Sequence, residues 1–206
     1  MEVVMSIALI GASGRVGTRI LQELSARGHA VTAIARHPES IPHLPKVIAK
    51  QGDVSDKLGL SALLKGHDIV ISAVKFANSN PRLLIDAVKA AGVKRYLVVG
   101  GAGSLEVAPG VQLLQTPTFP GAYIDEAEKG AEFLSFLKSE QDLDWTFLSP
   151  SAEFVPGERT GQFRLGKDQL LTGDNGSRIS FEDYAVAFVD EIERPANSRQ
   201  RFTVGY

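Results

Sequence analysis

Apolar residues follow two rhythms along this chain. Short unbroken runs alternate with stretches in which apolar residues recur every three or four positions. The first run, Val3 to Ile10, gives way to helical spacing at Val16, Ile20, Leu21 and Leu24. Ala30 to Ala35 is a second short run ending on Arg36, and the prolines between His37 and Pro45 exclude regular structure there. Val47 to Ala49 reads as a brief third strand. Ser55 or Asp56 then caps a helix whose Leu58, Leu60, Leu63 and Leu64 stop at Gly66. Asp68 to Val74 has the pattern of a central parallel strand covered on both faces. Pro81 opens a helix through Leu84, Ile85, Val88 and Ala91 to Gly92, and Tyr96 to Val99 is another buried strand. This alternation predicts an α/β fold, a doubly wound parallel sheet with right-handed crossovers and helices on both faces.

The second half is less regular. Gly100 to Gly121 is a long irregular connection after a strand's carboxyl end, and connections of that length usually carry function or move. Ala122 to Leu137 reads as a helix with Tyr123, Ala127, Ala131, Leu134 and Leu137 near one face, and Trp145 to Leu148 as a strand left by Ser149-Pro150-Ser151. Gln162 to Leu165 and Gln169 to Thr172 read as short strands separated by glycine turns. Ser180 caps a helix through Tyr184, Val186, Ala187, Val189 and Ile192, with Asp183 at the reciprocal capping position, and Phe202 to Val204 closes the chain as a strand. Between these, Pro156 to Arg164 has glycines, charges and few apolar anchors, which predicts a flap over the substrate side.

With 206 residues and no linker-like stretch, residues 1–206 are expected to form a single domain, with a small C-terminal substrate lobe inside it. A net charge of -2 gives no basic field for nucleic acid or an anionic membrane. The absence of cysteine excludes disulfides and thiolate chemistry. His29, His37, His43 and His67 lack metal-site spacing, so no metal is expected. The first apolar run has no basic flank and is too short to span a bilayer, which makes the cytoplasm the default location. Assembly is left open, a homodimer included.

Chemistry concentrates where the first strand meets the first helix, at Gly11-Ala12-Ser13-Gly14-Arg15-Val16-Gly17. Gly11 permits a tight turn, Gly14 lets backbone N–H groups approach a pyrophosphate, and Gly17 lets the helix lie close on the strand. In such a sheet, ligands lie outside the carboxyl ends of the strands, so the residues just past each strand are the candidates. After the second strand stands Arg36, with no Asp or Glu between Val31 and Pro38. An arginine there suits the 2′-phosphate of NADPH rather than the free ribose of NADH, and Arg15 is a possible second cation; ordinary surface arginines are the alternative. Asp53, followed by Val54, is either an acceptor for the adenine amino group or a helix-entry carboxylate. Ala73 and Val74 let backbone pass close to a cofactor or simply end a packed strand. Gly101 and Ala102 wall the nicotinamide side, and Pro150 borders it from the next strand. Ser104 is a substrate contact or a loop-stabilising hydroxyl. No TyrxxxLys pair occurs: Ala127 stands four residues after Tyr123, and Lys129 six.

The segments Gly11-Ala-Ser-Gly-Arg-Val-Gly17, Gly100-Gly-Ala-Gly-Ser-Leu105, Pro156-Gly-Glu-Arg-Thr-Gly161, Ser180-Phe-Glu-Asp-Tyr-Ala185 and Arg201-Phe-Thr-Val-Gly-Tyr206 together resemble the bacterial NADH-flavin reductase family of the atypical short-chain dehydrogenase/reductase group. The resemblance spans nearly the whole chain and implies a Rossmann-type fold, a nicotinamide cofactor, and flavin or a similar acceptor. The chain is also distantly similar to the biliverdin reductase B type of flavin reductase. The active-site serine of that type falls near Ala102 and its histidine near Ala152 or Glu153, so neither side chain is kept. The resulting expectation is an NAD(P)H-dependent oxidoreductase that prefers NADP(H) to NAD(H). It would pass hydride directly to a flavin or quinone-like acceptor, with flavin as substrate rather than prosthetic group and with no catalytic acid from the protein. A redox-sensing regulator that binds NADP(H) without turnover is the alternative.

Overall fold

The structure, a computed structural model, describes residues 5–206, so Val3 and Val4 of the first apolar run lie outside the described residues. The first half follows the apolar rhythm closely: β1 (Ser6–Ile10), α1 (Arg15–Ala26), β2 (Ala30–Ala35), β3 (Val47–Gln51), α2 (Lys57–Leu64), β4 (Ile69–Ser72), α3 (Pro81–Ala90) and β5 (Arg95–Val99). Caps explain the helix starts. Asp56 rather than Ser55 caps α2, accepting from the Gly59 N–H at 3.0 Å, and Asn80 accepts from the Arg82 and Leu83 N–H groups just before Pro81 of α3. Leu58 departs from the expected core face of α2 and is 83% exposed.

The second half comprises β6 (Glu106–Ala108), β7 (Val111–Gln112), α4 (Ile124–Ser139), β8 (Asp144–Pro150), β9 (Glu153–Val155), β10 (Arg164–Gly166), β11 (Arg178–Ser180), α5 (Phe181–Glu193) and β12 (Gln200–Gly205). The connection after β5 is therefore not wholly irregular, since it folds back on itself as the β6–β7 hairpin. Tyr123 precedes α4 instead of lying on its buried face, and it is 64% exposed. Ser149 and Pro150 belong to β8, which pairs with β12 as far as Pro150. Of the two expected short strands, one appears as β10, whereas Gln169 makes only an isolated bridge to Glu106.

Eight strands form the main sheet in the order β10-β12-β8-β5-β4-β1-β2-β3, all pairs parallel except β10 with β12. The chain steps outward from β1 through β2 to β3, then returns to the other side of β1 as β4. The resulting reversal opens a crevice at the carboxyl ends of β1 and β4. Strand alternation sends Ile7 and Leu9 toward α1 and α5, and Ala8 and Ile10 toward α2, α3 and α4, so apolar layers cover both faces.

Candidate functional site

The glycine turn is built by close backbone approach. Gly11 has φ +83°, which favours glycine, and its N–H donates to the Ile34 carbonyl at 2.9 Å. A Cβ on Gly11 would collide with the Ala73 carbonyl, and one on Gly17 would collide with the Gly11 carbonyl. Both glycines are therefore required by packing between β1, α1 and the end of β4. Gly14 is different: a Cβ there would lie 3.2 Å from the Gly11 oxygen, and the residue is exposed. It is the N-cap of α1 with no side-chain cap and no acidic residue in the first turn. The first N–H groups of a twelve-residue helix are thus left facing outward beside exposed Ser13, a positive helix terminus suited to a pyrophosphate. Buried Ala12 and half-buried Val16 complete the turn.

The adenine side of the crevice is set by the ends of β2 and β3. Arg36 is exposed just past β2, and the Gln51 side-chain amide donates to its carbonyl at 3.2 Å. Asp53 Oδ1 accepts from the Ser55 N–H and Ser55 Oγ, both at 2.8 Å. Those bonds hold its carboxyl below the usual range, with the Arg36 charge adding a smaller pull. Asp53 Oδ1 thus ties the turn that leads to the Asp56 cap of α2. Half-buried Val54 follows Asp53. The Arg15 guanidinium lies 5.7 Å from the Phe181 ring centroid, which ties it to α5. The opposite wall is Ala73, whose N–H donates to the Ile10 carbonyl at 2.9 Å, and Val74, both half-buried. Gly101 and Ala102 are half-buried past β5, and a Cβ on Gly101 would meet only Phe76 Cε2 at 3.8 Å, so this rim is open. The residues present fit a dinucleotide: a bare helix terminus for its phosphates, a cation past β2, and small residues where its other half would pass.

A family model for NAD(P)H binding matches residues 11–192. The chain belongs to this NAD(P)H-binding family. An uncharacterized Bacillus subtilis protein is 41% identical over 212 residues, covering 97% of this chain and 98% of its own length. Among solved structures, a Bacteroides thetaiotaomicron protein described as a candidate epimerase is 44% identical with TM-score 0.93, covering 99% of this chain and 98% of that one. A Streptococcus pneumoniae protein described as a candidate NADH-flavin reductase is 33% identical with TM-score 0.81, covering 98% and 99%. The architecture of this family member is the Rossmann type with a parallel-dominated sheet.

Past the ends of β5 and β8 in this NAD(P)H-binding protein, several expectations change. Ser104 is 6% exposed, and its Oγ accepts from Arg201 Nη1 at 3.1 Å, as its carbonyl does at 3.2 Å. Arg201 also reaches Asp168 Oδ1, at 2.8 Å from Nε and 2.6 Å from Nη2. Ser104 is thus a loop-stabilising hydroxyl that ties the turn after β5 to β12. Pro150 is buried within β8 rather than lying at an open border. Ser149 Oγ, fully buried next to it, has no hydrogen-bond partner among the described residues. Lys129 pairs with Asp125, so it does not serve Tyr123. Tyr184 is fully buried and donates its hydroxyl proton to the Leu148 carbonyl at 2.7 Å, which keeps it away from the crevice; burial pushes its pKa well above the ordinary range.

The segment from Pro156 is likewise not a loose flap. Gly157 N–H donates to Glu182, Arg159 donates twice to Glu23 at 2.9 and 2.8 Å, and Ser180 Oγ donates to the Glu158 carbonyl. Thr160 and Gly161 donate to Asp183, whose carboxylate thus serves this strap instead of the reciprocal cap on Ser180; Ser180 does cap α5, accepting from the Asp183 N–H at 2.9 Å. A cleft of about 850 Å³ opens between the strap, Arg164, Arg178 and Tyr206, and it shares no residue with the glycine turn. Nothing in the local pattern of residues marks Glu126, whose carboxylate grips the loop after β4.

Proposed function

We propose that this protein is an NADPH-preferring reductase acting on a planar, conjugated small-molecule acceptor, a free flavin first and a quinone-like compound second. The bound nicotinamide supplies the hydride. The glycine turn and the N-terminus of α1 hold the phosphates, Arg36 holds the 2′-phosphate, and the Ala73–Val74 and Gly101–Ala102 segments place the reacting ring. One observation carries the acceptor half: the Ser104 hydroxyl, the polar side chain nearest the Gly101–Ala102 rim in sequence, is locked onto Arg201. Reduction of a simple ketone, or epimerisation of the sort the Bacteroides relative's description names, needs a positioned acid or base. An isoalloxazine delocalises the incoming charge and exchanges its proton with water, so proximity and orientation suffice; together they can contribute about 7–11 kcal/mol.

The test is NADPH and NADH oxidation with FMN, FAD, a quinone and a simple ketone. Oxidation of NADPH with FMN or the quinone and none with the ketone is expected. Turnover of the ketone alone overturns the reading. Tight NADPH binding without oxidation by any acceptor favours the regulator instead. The reading goes with a cytoplasmic protein without nucleic-acid or membrane partners: the net charge is -2, and no helix of the described residues is long and apolar enough to cross a membrane.

A further inference from the structure

We propose that Glu126 is a positioning residue that sets the nicotinamide-side wall of the crevice, an inference that rests on the cofactor reading above. Glu126 stands in the first turn of α4. Its Oε1 accepts from the Phe76 N–H and its Oε2 from the Ala77 N–H, both at 2.8 Å. These amides open a three-residue 3-10 turn, Phe76–Asn78, which is too short to supply partners for its own first N–H groups. A carboxylate matches the need because it offers one oxygen to each donor and makes both bonds charge-assisted.

The same face of α4 grips the Phe76 ring. One turn after Glu126 comes Gly130, where a Cβ would lie 2.9 Å from Phe76 Cδ2, so the ring rests directly on the helix backbone. From there the ring packs 5.5 Å from Phe133 and stacks 6.0 Å from Phe147 at 19°. Phe147 in turn fills the space a Cβ on Gly100 would need, and Phe76 is the nearest neighbour below Gly101. Upstream, the gripped loop begins at Ala73, whose carbonyl abuts Gly11. One carboxylate thereby fixes both the loop after β4 and, through two stacked rings, the turn after β5. Both of its oxygens are engaged, which makes it a positioning group and not an acid or base.

The experiment measures NADPH and 2′,5′-ADP binding to the wild-type protein and to Glu126→Gln, with Tm recorded for each. The second nucleotide carries adenine and the 2′- and 5′-phosphates but no nicotinamide, so it reports the adenine half of the crevice, away from the Phe76 and Gly101 wall that Glu126 sets. Glutamine keeps the volume and removes one of the two acceptors. It should weaken NADPH about tenfold, the equivalent of one hydrogen bond's net contribution, and leave 2′,5′-ADP unchanged. With FMN as acceptor, kcat should fall as well. Equal weakening of both nucleotides, or of neither, overturns the proposal. Failure of the wild-type protein to bind either nucleotide refutes the cofactor reading and this inference with it. If Glu126→Gln does not fold, Gly130→Ala keeps the carboxylate and presses the Phe76 ring from the helix side; the same selective loss is expected, and its absence counts against the clamp.

Discussion

Replacing Asp183 by alanine takes one carboxylate away from four donors. The side chain is fully buried; Oδ1 accepts from the Thr160 and Gly161 N–H groups at 2.8 and 2.7 Å, and Oδ2 from Thr160 Oγ1 at 2.6 Å and the Tyr206 hydroxyl at 2.8 Å. Bonds to a charged acceptor contribute about 1.5–3 kcal/mol each, but Thr160 and Gly161 are exposed and regain water once released, so the four do not sum. The expected loss for Asp183→Ala is roughly 2–4 kcal/mol, one to two charge-assisted bonds' worth, because the donors left behind are neutral and most regain water. Asparagine keeps a carbonyl oxygen for the two amides, and the Tyr206 hydroxyl can turn fully to Ser180 Oγ at 2.9 Å, so Asp183→Asn should lose only about 1–2 kcal/mol. Urea unfolding of the three proteins, with an unchanged slope, measures these differences. Hydrogen exchange adds a local reading: Thr160 and Gly161 should be protected in the wild-type protein without any ligand and unprotected in the alanine variant. A loss below about 1 kcal/mol for Asp183→Ala, or coil-like exchange at both amides in the wild type, would refute the assignment of Asp183 as the anchor of the strap.

Arg36→Asp should weaken NADPH by at least about tenfold and spare NADH, the lower end of a charged hydrogen bond because Arg36 is exposed; equal wild-type affinity for the two nucleotides contradicts the preference. Ser104→Ala and Tyr123→Phe should each leave the rate of flavin reduction unchanged, while Ser104→Ala lowers stability by about 1 kcal/mol through the lost Arg201 contact; a large rate loss in either would restore a side-chain acid to the mechanism. Acid stability should depend on Glu23, whose carboxyl is held below its ordinary value of 4.5, chiefly by the Arg159 hydrogen bond against opposing burial. A depressed carboxyl adds stability above its unfolded pKa and loses it as pH falls through the folded one, so Arg159→Ala should flatten the pH dependence of urea midpoints below about pH 4.5 and leave its shape at neutral pH alone.

What could be read from the chain, and what could not, divides by the range of the interaction. The run Ala30 to Ala35 is observed as β2 with the same ends, because its neighbours on both sides stop a strand locally. The Gly11 turn is legible for the same reason: a run of apolar residues, a positive-φ glycine and a helical repeat are adjacent in sequence. β9 and β11 were not legible. Each has three residues, their pairing joins Glu153–Val155 to Arg178–Ser180 across a stretch that itself contains β10, and Ile179 and Ser180, buried side by side after exposed Arg178, set no alternation. Polar side chains fail in a more instructive way. Ser104 lies beside the predicted rim, yet its partner Arg201 is 97 residues away, and Asp183 occupies a capping position while its carboxylate serves a strap 22 and 23 residues upstream. Glu126 looks like an ordinary first-turn acid favoured by the helix dipole, and that local reason is sufficient to place it there. Only the tertiary arrangement shows that the same carboxylate meets two backbone donors 50 and 49 residues earlier. A local rule can account for a residue's presence without exhausting what the residue does: the long-range half of the Glu126 contact holds the loop whose Ala73 carbonyl abuts Gly11.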